Sequence, residues 1–265
     1  MAKKIKSKER EFIKIKDKNL TLEERIYAIP PNTYDFNMNK KYQLEKAGLW
    51  EKYDQEFILT LYPYPGYDME TEKKKDMTYV GLFNEEIEND LLRKDRVHIC
   101  RRSHAEYSPF QLQIVGGCII TSPSFIAVLK STSGRLKDKL TMVQGHVDYD
   151  PSFVLCKDMT EFVRKNAMRE LNEEVKIKGE DLTDVITLSE KPKYVINKYT
   201  TLIDIEHIGF IYEASMSDED ILKLKSNEKD KHEVVIINRE TLAEKGKDEF
   251  AFDSWLSDVI TMITE

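Results

Sequence analysis

The chain has 265 residues, of which 40% are hydrophobic and 34% charged, with a net charge of −7. This apolar content is enough for a folded core and excludes a chain disordered throughout, and no apolar run reaches the roughly 18–20 residues of a membrane-spanning helix. A dedicated duplex-DNA-binding protein usually carries a basic excess, which the chain as a whole lacks.

Charge is distributed unevenly along the chain. Residues 1–20 carry a net charge of +5, and the other 245 residues carry −12. The basic head is interpreted as a flexible, solvated arm, with guidance of RNA or another polyanion as the alternative. It lacks the apolar segment of a secretory signal. Three widely spaced cysteines without a CxxC pair are expected to be small buried residues of a cytoplasmic protein.

Residues 21–94 are predicted to form an N-terminal α+β extension. Thr21–Glu24 has the spacing of a capping box and predicts a short helix. The aromatic residues between 27 and 67 are dense, and we expect them to form a packing face or a homodimer contact, with base stacking as the alternative. Further predicted elements are a helix over 40–55, strands over 57–62 and 78–83, and a helix over 85–93.

The pattern changes near residue 95. Beyond it, strands and helices mix without strict alternation, which favours an α/β/α sandwich with a mixed β-sheet over 95–265 rather than a doubly wound fold. Strands are predicted at 97–101, 111–121, 125–129, 140–147, 193–201, 207–214 and 232–238, and helices at 159–176, 217–225 and 250–264.

Three carboxylates cluster on the helix predicted over 159–176. At 100° per residue, Glu170, Glu173 and Glu174 share an arc of about 100° beside an apolar face. Like charges three and four residues apart destabilise an isolated helix by a few tenths of a kcal/mol per pair. A hard divalent cation with oxygen ligands would neutralise them.

The run Arg169-Glu170-Leu171-Asn172-Glu173-Glu174, with Glu161 before it and Ile177 after it, resembles the signature of the Nudix hydrolases. Leu155 and Lys176 stand where that signature has its two glycines. Gly145 is the best candidate for the first glycine, and it implies an insertion of about ten residues, 149–158. Segments that resemble MutT-like proteins with a longer loop are Ser133-Gly134-Arg135-Leu136, Gly145-His146 and His207-Ile208-Gly209.

The resemblance covers about residues 95–265 and implies an activity. Nudix enzymes hydrolyse the pyrophosphate bond of a nucleoside diphosphate linked to another group, and so release a nucleoside monophosphate or phosphate product. The family implies Mg²⁺, with Mn²⁺ as the alternative, to neutralise phosphate oxygens and activate water. The implied metal ligands are Glu170, Glu173, Glu174 and the carbonyl of Gly145. The base that takes the water's proton is left open between a signature glutamate and a more distant one such as Glu206 or Glu233.

Other residues have supporting roles in this hypothesis. The candidate catalytic set is Glu170, Glu173, Arg169 and Glu161, in which the family's pairing of Glu161 with Arg169 implies an ion pair that fixes the loop and helix. Glu161 alternatively caps the helix, because Asp158 precedes it at capping-box spacing. Arg135 and His146 are candidate substrate-binding residues, and a partly buried structural role is the alternative for His146.

Two other functions are kept as alternatives. Lys176 and the displaced glycine motivate a catalytically inactive Nudix-fold module that senses a nucleotide or binds a protein. The basic arm motivates an RNA 5′-pyrophosphohydrolase. The expected partner of the enzyme is a nucleotide-derived small molecule, without a membrane contact.

Overall fold

The structure is a computed structural model in which two strands of the predicted N-terminal extension join the main sheet. It describes residues 44–46, 48–61, 79–107, 111–133, 136–156, 158–177, 179, 181–198 and 207–264, with the backbone of 67–68 and 73–74. The predicted arm 1–20, the capping box Thr21–Glu24 and the candidates Arg135 and Glu206 lie outside the described residues.

The longest helix, of 16 residues, lies in the middle of the chain, and shorter helices precede and follow it in sequence. The helices are α1 (Trp50–Gln55), α2 (Glu85–Leu91), α3 (Arg102–Tyr107), α4 (Ser152–Leu155), α5 (Met159–Glu174), α6 (Leu182–Val185), α7 (Asp218–Ile221), α8 (Arg239–Lys245) and α9 (Ser254–Thr264), with a 3₁₀ turn at Lys247–Glu249. The strands are β1 (Phe57–Leu61), β2 (Tyr67–Asp68), β3 (Lys73–Lys74), β4 (Tyr79–Leu82), β5 (Val97–Arg101), β6 (Leu112–Thr121), β7 (Phe125–Ser131), β8 (Leu140–Thr141), β9 (Val143–His146), β10 (Val175–Ile177), β11 (Thr187–Leu188), β12 (Tyr194–Asn197), β13 (His207–Ser215), β14 (Leu224–Ser226) and β15 (His232–Asn238).

Eleven of the described strands form one mixed sheet. Its main path follows the order β15-β7-β6-β13-β12-β4. Strands β6 and β13 pair in parallel, from His207 opposite Gln113 to Ser215 opposite Thr121, whereas the other pairs are antiparallel. Strands β1 and β4 belong to this sheet, so it continues across residue 95, where the sequence predicts a domain boundary.

A layer of helix covers each face of the sheet, which confirms the predicted α/β/α sandwich. Helix α5 packs on β6, where a Cβ at Gly116 would meet backbone atoms of Ala167 and Val163 at 3.3 Å. On the opposite face, the ring of Trp255 in α9 lies directly over Gly209. Two separate apolar clusters fill the two interfaces. Within the described residues, no helix has the length and apolar character needed to cross a membrane.

Helix α5 begins and ends in ways that place the site. Asp158 is its N-cap and accepts hydrogen bonds from the backbone N–H groups of Thr160 and Glu161. After Glu174 the backbone is extended and continues into β10, which pairs with β14 so that Lys176 lies opposite Lys225. An extended backbone suits lysine as well as glycine, which explains why Lys176 can occupy the signature's second glycine position.

Several predicted elements have different bounds in the structure. The helix predicted over 40–55 is interrupted at Gly48, where φ is +70°, because a left-handed residue cannot continue a helix. The helix predicted over 217–225 is α7 followed by β14. All three cysteines are free; Cys100 and Cys118 are buried as expected, but Cys156 is half-buried.

Candidate active site

Helix α5 presents the signature carboxylates on the edge of its packed face. Phe162, Ala167 and Leu171 are buried against the sheet. Glu170 stands beside them with 12% of its side chain exposed, whereas the side chain of Glu173 is 53% exposed. The predicted helical arc therefore has a buried end at Glu170 and a solvent-facing end at Glu173.

Glu170 meets the backbone of β9 at Gly145. A Cβ at position 145 would lie closer than 3.0 Å to the carboxyl group of Glu170, a separation that real Cβ atoms do not adopt. Any larger residue at position 145 would therefore displace the carboxyl group of Glu170 from its present place. The predicted insertion, 149–158, contains α4. Lys94 donates hydrogen bonds to the backbone carbonyls of Val154 and Cys156 in this segment.

Arg169 links three carboxylates around this contact. Its guanidinium lies 2.8 Å from Asp148, 2.6 Å from Glu170 and 3.1 Å from Glu173. It also donates a hydrogen bond to the backbone carbonyl of His146 at 3.2 Å. Arg169 thus ties helix α5 to strand β9 and the residues after it.

The ion pair expected between Glu161 and Arg169 is replaced by other pairs. Glu161 lies 2.9 Å from Lys165 and its side chain is 56% exposed. Eight residues of helix separate Glu161 from Arg169, a rise of about 12 Å, so the two side chains extend from different turns. The helix cap is Asp158 itself, which accepts from the backbone N–H of Glu161.

Burial disfavours the charged form of the carboxyl groups in this site. It raises the pKa of Glu170 to about 7, against the opposing effect of Arg169. It raises the pKa of Glu174 to about 8, with further contributions from Glu170 and Glu228. It also raises the pKa of Asp148, again against Arg169. Arg169 carries one positive charge and contacts the three carboxyl groups of Asp148, Glu170 and Glu173. The remaining negative charge favours the binding of a cation.

A second group of potential ligands lies at the C-terminal end of α5. Ligand atoms of Glu174, Glu228 and His232 all lie within 4.8 Å of one another. Sequence reasoning missed Glu228 and His232, because no spacing in the sequence connects them to the signature. Glu233, which it did consider, is exposed on β15 opposite Lys130.

A cavity of about 510 Å³ opens beside Glu170. Phe57 and Arg102 contribute to its wall, and Arg102 is held by Glu56 at 2.8 Å and by the ring of Tyr53 at 4.1 Å. Part of the wall therefore comes from the region that the sequence assigned to the N-terminal extension. Its lining residues are Glu56, Phe57, Arg102, Gly145, His146, Asp148, Tyr149 and Glu170.

His146 lies in this cavity and contacts a second histidine. The Nε2 atoms of His146 and His207 are 3.1 Å apart. Burial lowers the pKa of His146, and Arg102 and His207 lower it further. At this distance one imidazole nitrogen can donate a hydrogen bond to the other. His207 is buried on β13, so His146 is the member of the pair that borders the cavity.

Comparison with known proteins relates this fold to solved structures. A scan against protein-family models finds no match, and a search of curated proteins finds none either. The crystal structure of Tm1382, a candidate Nudix hydrolase, has a TM-score of 0.56 at 20% identity over 79% of this chain and 98% of that one.

Two further solved structures are more distant. A NUDIX family hydrolase from Clostridium perfringens has a TM-score of 0.34 at 14% identity over 57% of this chain and 93% of that one. A bifunctional NMN adenylyltransferase/ADP ribose pyrophosphatase from Francisella tularensis has a TM-score of 0.39 at 12% identity, over 57% of this chain and 40% of that one. On the likeness to Tm1382, this chain has the fold of the Nudix hydrolases.

Proposed function

We propose that this protein is a Nudix-type hydrolase that cleaves the pyrophosphate bond of a nucleoside diphosphate linked to another group. The observation that carries the proposal is the contact of Glu170 with Gly145 at the edge of the cavity. This contact brings the signature glutamate of α5 to Gly145, the candidate for the signature's first glycine. The two residues meet although the insertion 149–158 lies between them in the chain.

The residues present fit a divalent cation. Glu170, Glu173, Glu174 and the carbonyl of Gly145 would hold it, and the Oε2 atom of Glu174 is buried without a hydrogen-bond partner among the described residues. Such an orphaned acceptor costs free energy that a ligand would recover. Bound there, Mg²⁺ or Mn²⁺ supplies neutralisation of phosphate oxygens and a lowered pKa for water.

Arg169 and Asp148 position the carboxylates in this proposal. Arg169 holds Glu170 and Glu173 through contacts of 2.6 and 3.1 Å, and Asp148 contacts the same guanidinium at 2.8 Å.

The cavity suits a nucleotide derivative. Its volume of about 510 Å³ lies within the roughly 300–1,000 Å³ of small-molecule sites. Phe57 and Tyr149 offer aromatic surface for a base, and His146 and Arg102 offer polar groups for phosphate or ribose. RNA guidance by the basic arm and a homodimer contact stay predictions.

Turnover on a panel of nucleoside diphosphate derivatives tests the proposal. We expect wild-type protein with Mg²⁺ or Mn²⁺ to release a nucleoside monophosphate or phosphate product, and Glu173→Gln to lower kcat by about 100-fold. The matched control is Glu161→Gln, because Glu161 shares the helix but pairs with Lys165. Tight nucleotide binding without cation-dependent turnover on any compound would overturn the enzyme and favour the binding module.

A further inference from the structure

Packing at the end of α5 brings a histidine to the signature carboxylates. The backbone N–H of Asn227 donates to the carbonyl of Glu174 at 2.8 Å, and its side-chain amide donates to the carbonyl of Asn172 at 3.4 Å. These hydrogen bonds provide donors for two backbone carbonyls that have no donor within the helix at its C-terminal end. They also fix the start of the segment that carries Glu228 and His232.

This segment completes a mixed group of nitrogen and oxygen donors. The ligand atoms of Glu174, Glu228 and His232 lie within 4.8 Å of one another. Two ligands on opposite sides of one ion, each at about 2.1 Å, are separated by about 4.2 Å, so a small rotation of these side chains would close the site. Glu228 also pairs with Lys231 at 2.7 Å, but Lys231 is largely exposed, and such surface pairs are weak.

Two atoms of the group are buried and lack partners. Nδ1 of His232 and Oε2 of Glu174 have no hydrogen-bond partner within the part of the chain that the structure describes. A buried polar atom without a partner costs about 1–3 kcal/mol, and here two such atoms belong to residues whose ligand atoms lie within 4.8 Å of one another. A shared ligand that accepts electron pairs from both atoms, such as a metal ion, would remove this cost.

We infer that His232 is a nitrogen ligand of a metal site formed with Glu174 and Glu228, and that this site prefers a divalent transition metal ion over Mg²⁺. Mg²⁺ favours oxygen ligands in near-ideal octahedral geometry, whereas imidazole nitrogen suits Fe²⁺, Ni²⁺, Cu²⁺ and Zn²⁺. The inference rests on the proposed function for the role of Glu174, but metal binding can be measured without turnover.

Pulsed electron paramagnetic resonance with Mn²⁺ tests this ligand directly. We expect ¹⁴N coupling from a bound imidazole in the wild-type protein and its loss in His232→Gln. Binding of Mn²⁺ and Zn²⁺, measured by calorimetry, should weaken by about tenfold or more in that variant, whereas binding of Mg²⁺ should change by less than about twofold. The matched control is His98→Gln, which changes an exposed histidine on β5 and should preserve the coupling.

Two results would overturn the inference. One is Mn²⁺ bound to wild-type protein without nitrogen coupling, and the other is coupling that persists in a folded His232→Gln variant. Glu228→Gln provides a second variant, which should retain the nitrogen coupling while weakening Mn²⁺ binding. Nitrogen coupling without hydrolysis of any substrate would overturn the proposed function alone, and hydrolysis with Mg²⁺ without coupling would overturn this inference alone.

Discussion

Gly145 in β9 and Glu170 in α5 lie so close that a Cβ at position 145 would stand less than 3.0 Å from the carboxyl group of Glu170. The two residues are 25 positions apart in the chain, and the segment between them includes α4 and the first part of α5. Their contact places the carboxyl group of Glu170 against the strand at the edge of the cavity, which both residues line.

Gly145→Ala tests this contact. The added methyl group must displace the carboxyl group of Glu170 or separate β9 from α5, and a displacement of about 1 Å at a catalytic group can cost about 100-fold in rate. We expect cation-dependent turnover to fall by about that factor. The measurement is kcat with Mn²⁺ and with Mg²⁺, together with thermal unfolding to establish that the variant is folded.

Gly81→Ala is the control for that substitution. A Cβ at Gly81 in β4 would meet nothing within 4 Å, so this variant should keep wild-type turnover. Equal turnover of folded Gly145→Ala and wild-type protein would contradict the role of the Gly145–Glu170 contact.

Stability of the cation-free protein should depend on pH. Burial raises the pKa of Glu170 to about 7 and of Glu174 to about 8, above the value of 4.5 for an unperturbed glutamate. Between about pH 4.5 and these values the folded protein binds more protons than the unfolded chain. Its free energy of unfolding therefore falls as the pH rises through this window. Thermal unfolding in EDTA at several pH values measures the effect.

Glu170→Gln separates this effect from general pH sensitivity. The neutral amide removes one buried titration, so the cation-free variant should lose less stability than wild type between about pH 5 and 8. Added Mn²⁺ should stabilise wild type more at the upper end of that range and should stabilise the variant less. Parallel pH profiles for the two cation-free proteins would show that Glu170 does not titrate in this window.

Local sequence patterns predicted the carboxylate arc, because residues three and four apart share a helix face whatever surrounds them. The same reasoning placed Glu170, Glu173 and Glu174 together, whereas Gly145 was a candidate only through the resemblance to the Nudix signature. It did not find Glu228 or His232, because their position depends on the pairing of β10 with β14 and on the hydrogen bonds of Asn227. Those are long-range contacts without a periodic signal.

The substituted signature positions show a second limit of sequence reasoning. Lys176 replaces a signature glycine and motivated the inactive module, but the chain leaves α5 directly into a strand, where glycine has no advantage. Phe57 and Arg102 reach the cavity because β1 pairs with both β5 and β6. The sequence gives no indication that Phe57, in the predicted extension, lies near the signature residues, because these are far apart in the chain.

Phe57→Ala tests whether the extension contributes to substrate binding. The side chain of Phe57 borders the cavity and is 41% exposed, so it is available to stack on a base. Stacking contributes about 1–3 kcal/mol per base, and we expect KM to rise by about tenfold with kcat within about twofold. Steady-state kinetics on the best substrate of the panel measures both constants.

Leu82→Ala is the matched control for the aromatic substitution. Leu82 on β4 is also an exposed large hydrophobic residue, at 65% exposure, but it does not line the cavity. Its removal should leave KM unchanged. If Phe57→Ala and Leu82→Ala behave alike, Phe57 does not contact the substrate.

Gly116→Ala should test how strongly the sheet fixes α5. A Cβ at position 116 would meet the backbone nitrogen of Ala167 and the backbone carbonyl oxygen of Val163 at 3.3 Å, and backbone atoms of a packed helix cannot rotate away. Overpacking of this kind costs about 1–3 kcal/mol. We expect a lower free energy of unfolding by denaturant, and a reduced kcat because α5 carries Glu170. Gly81→Ala again provides the comparison, since the same substitution there meets open space. A Gly116→Ala variant as stable and as active as Gly81→Ala would mean that α5 can shift on β6 without disturbing the carboxylates.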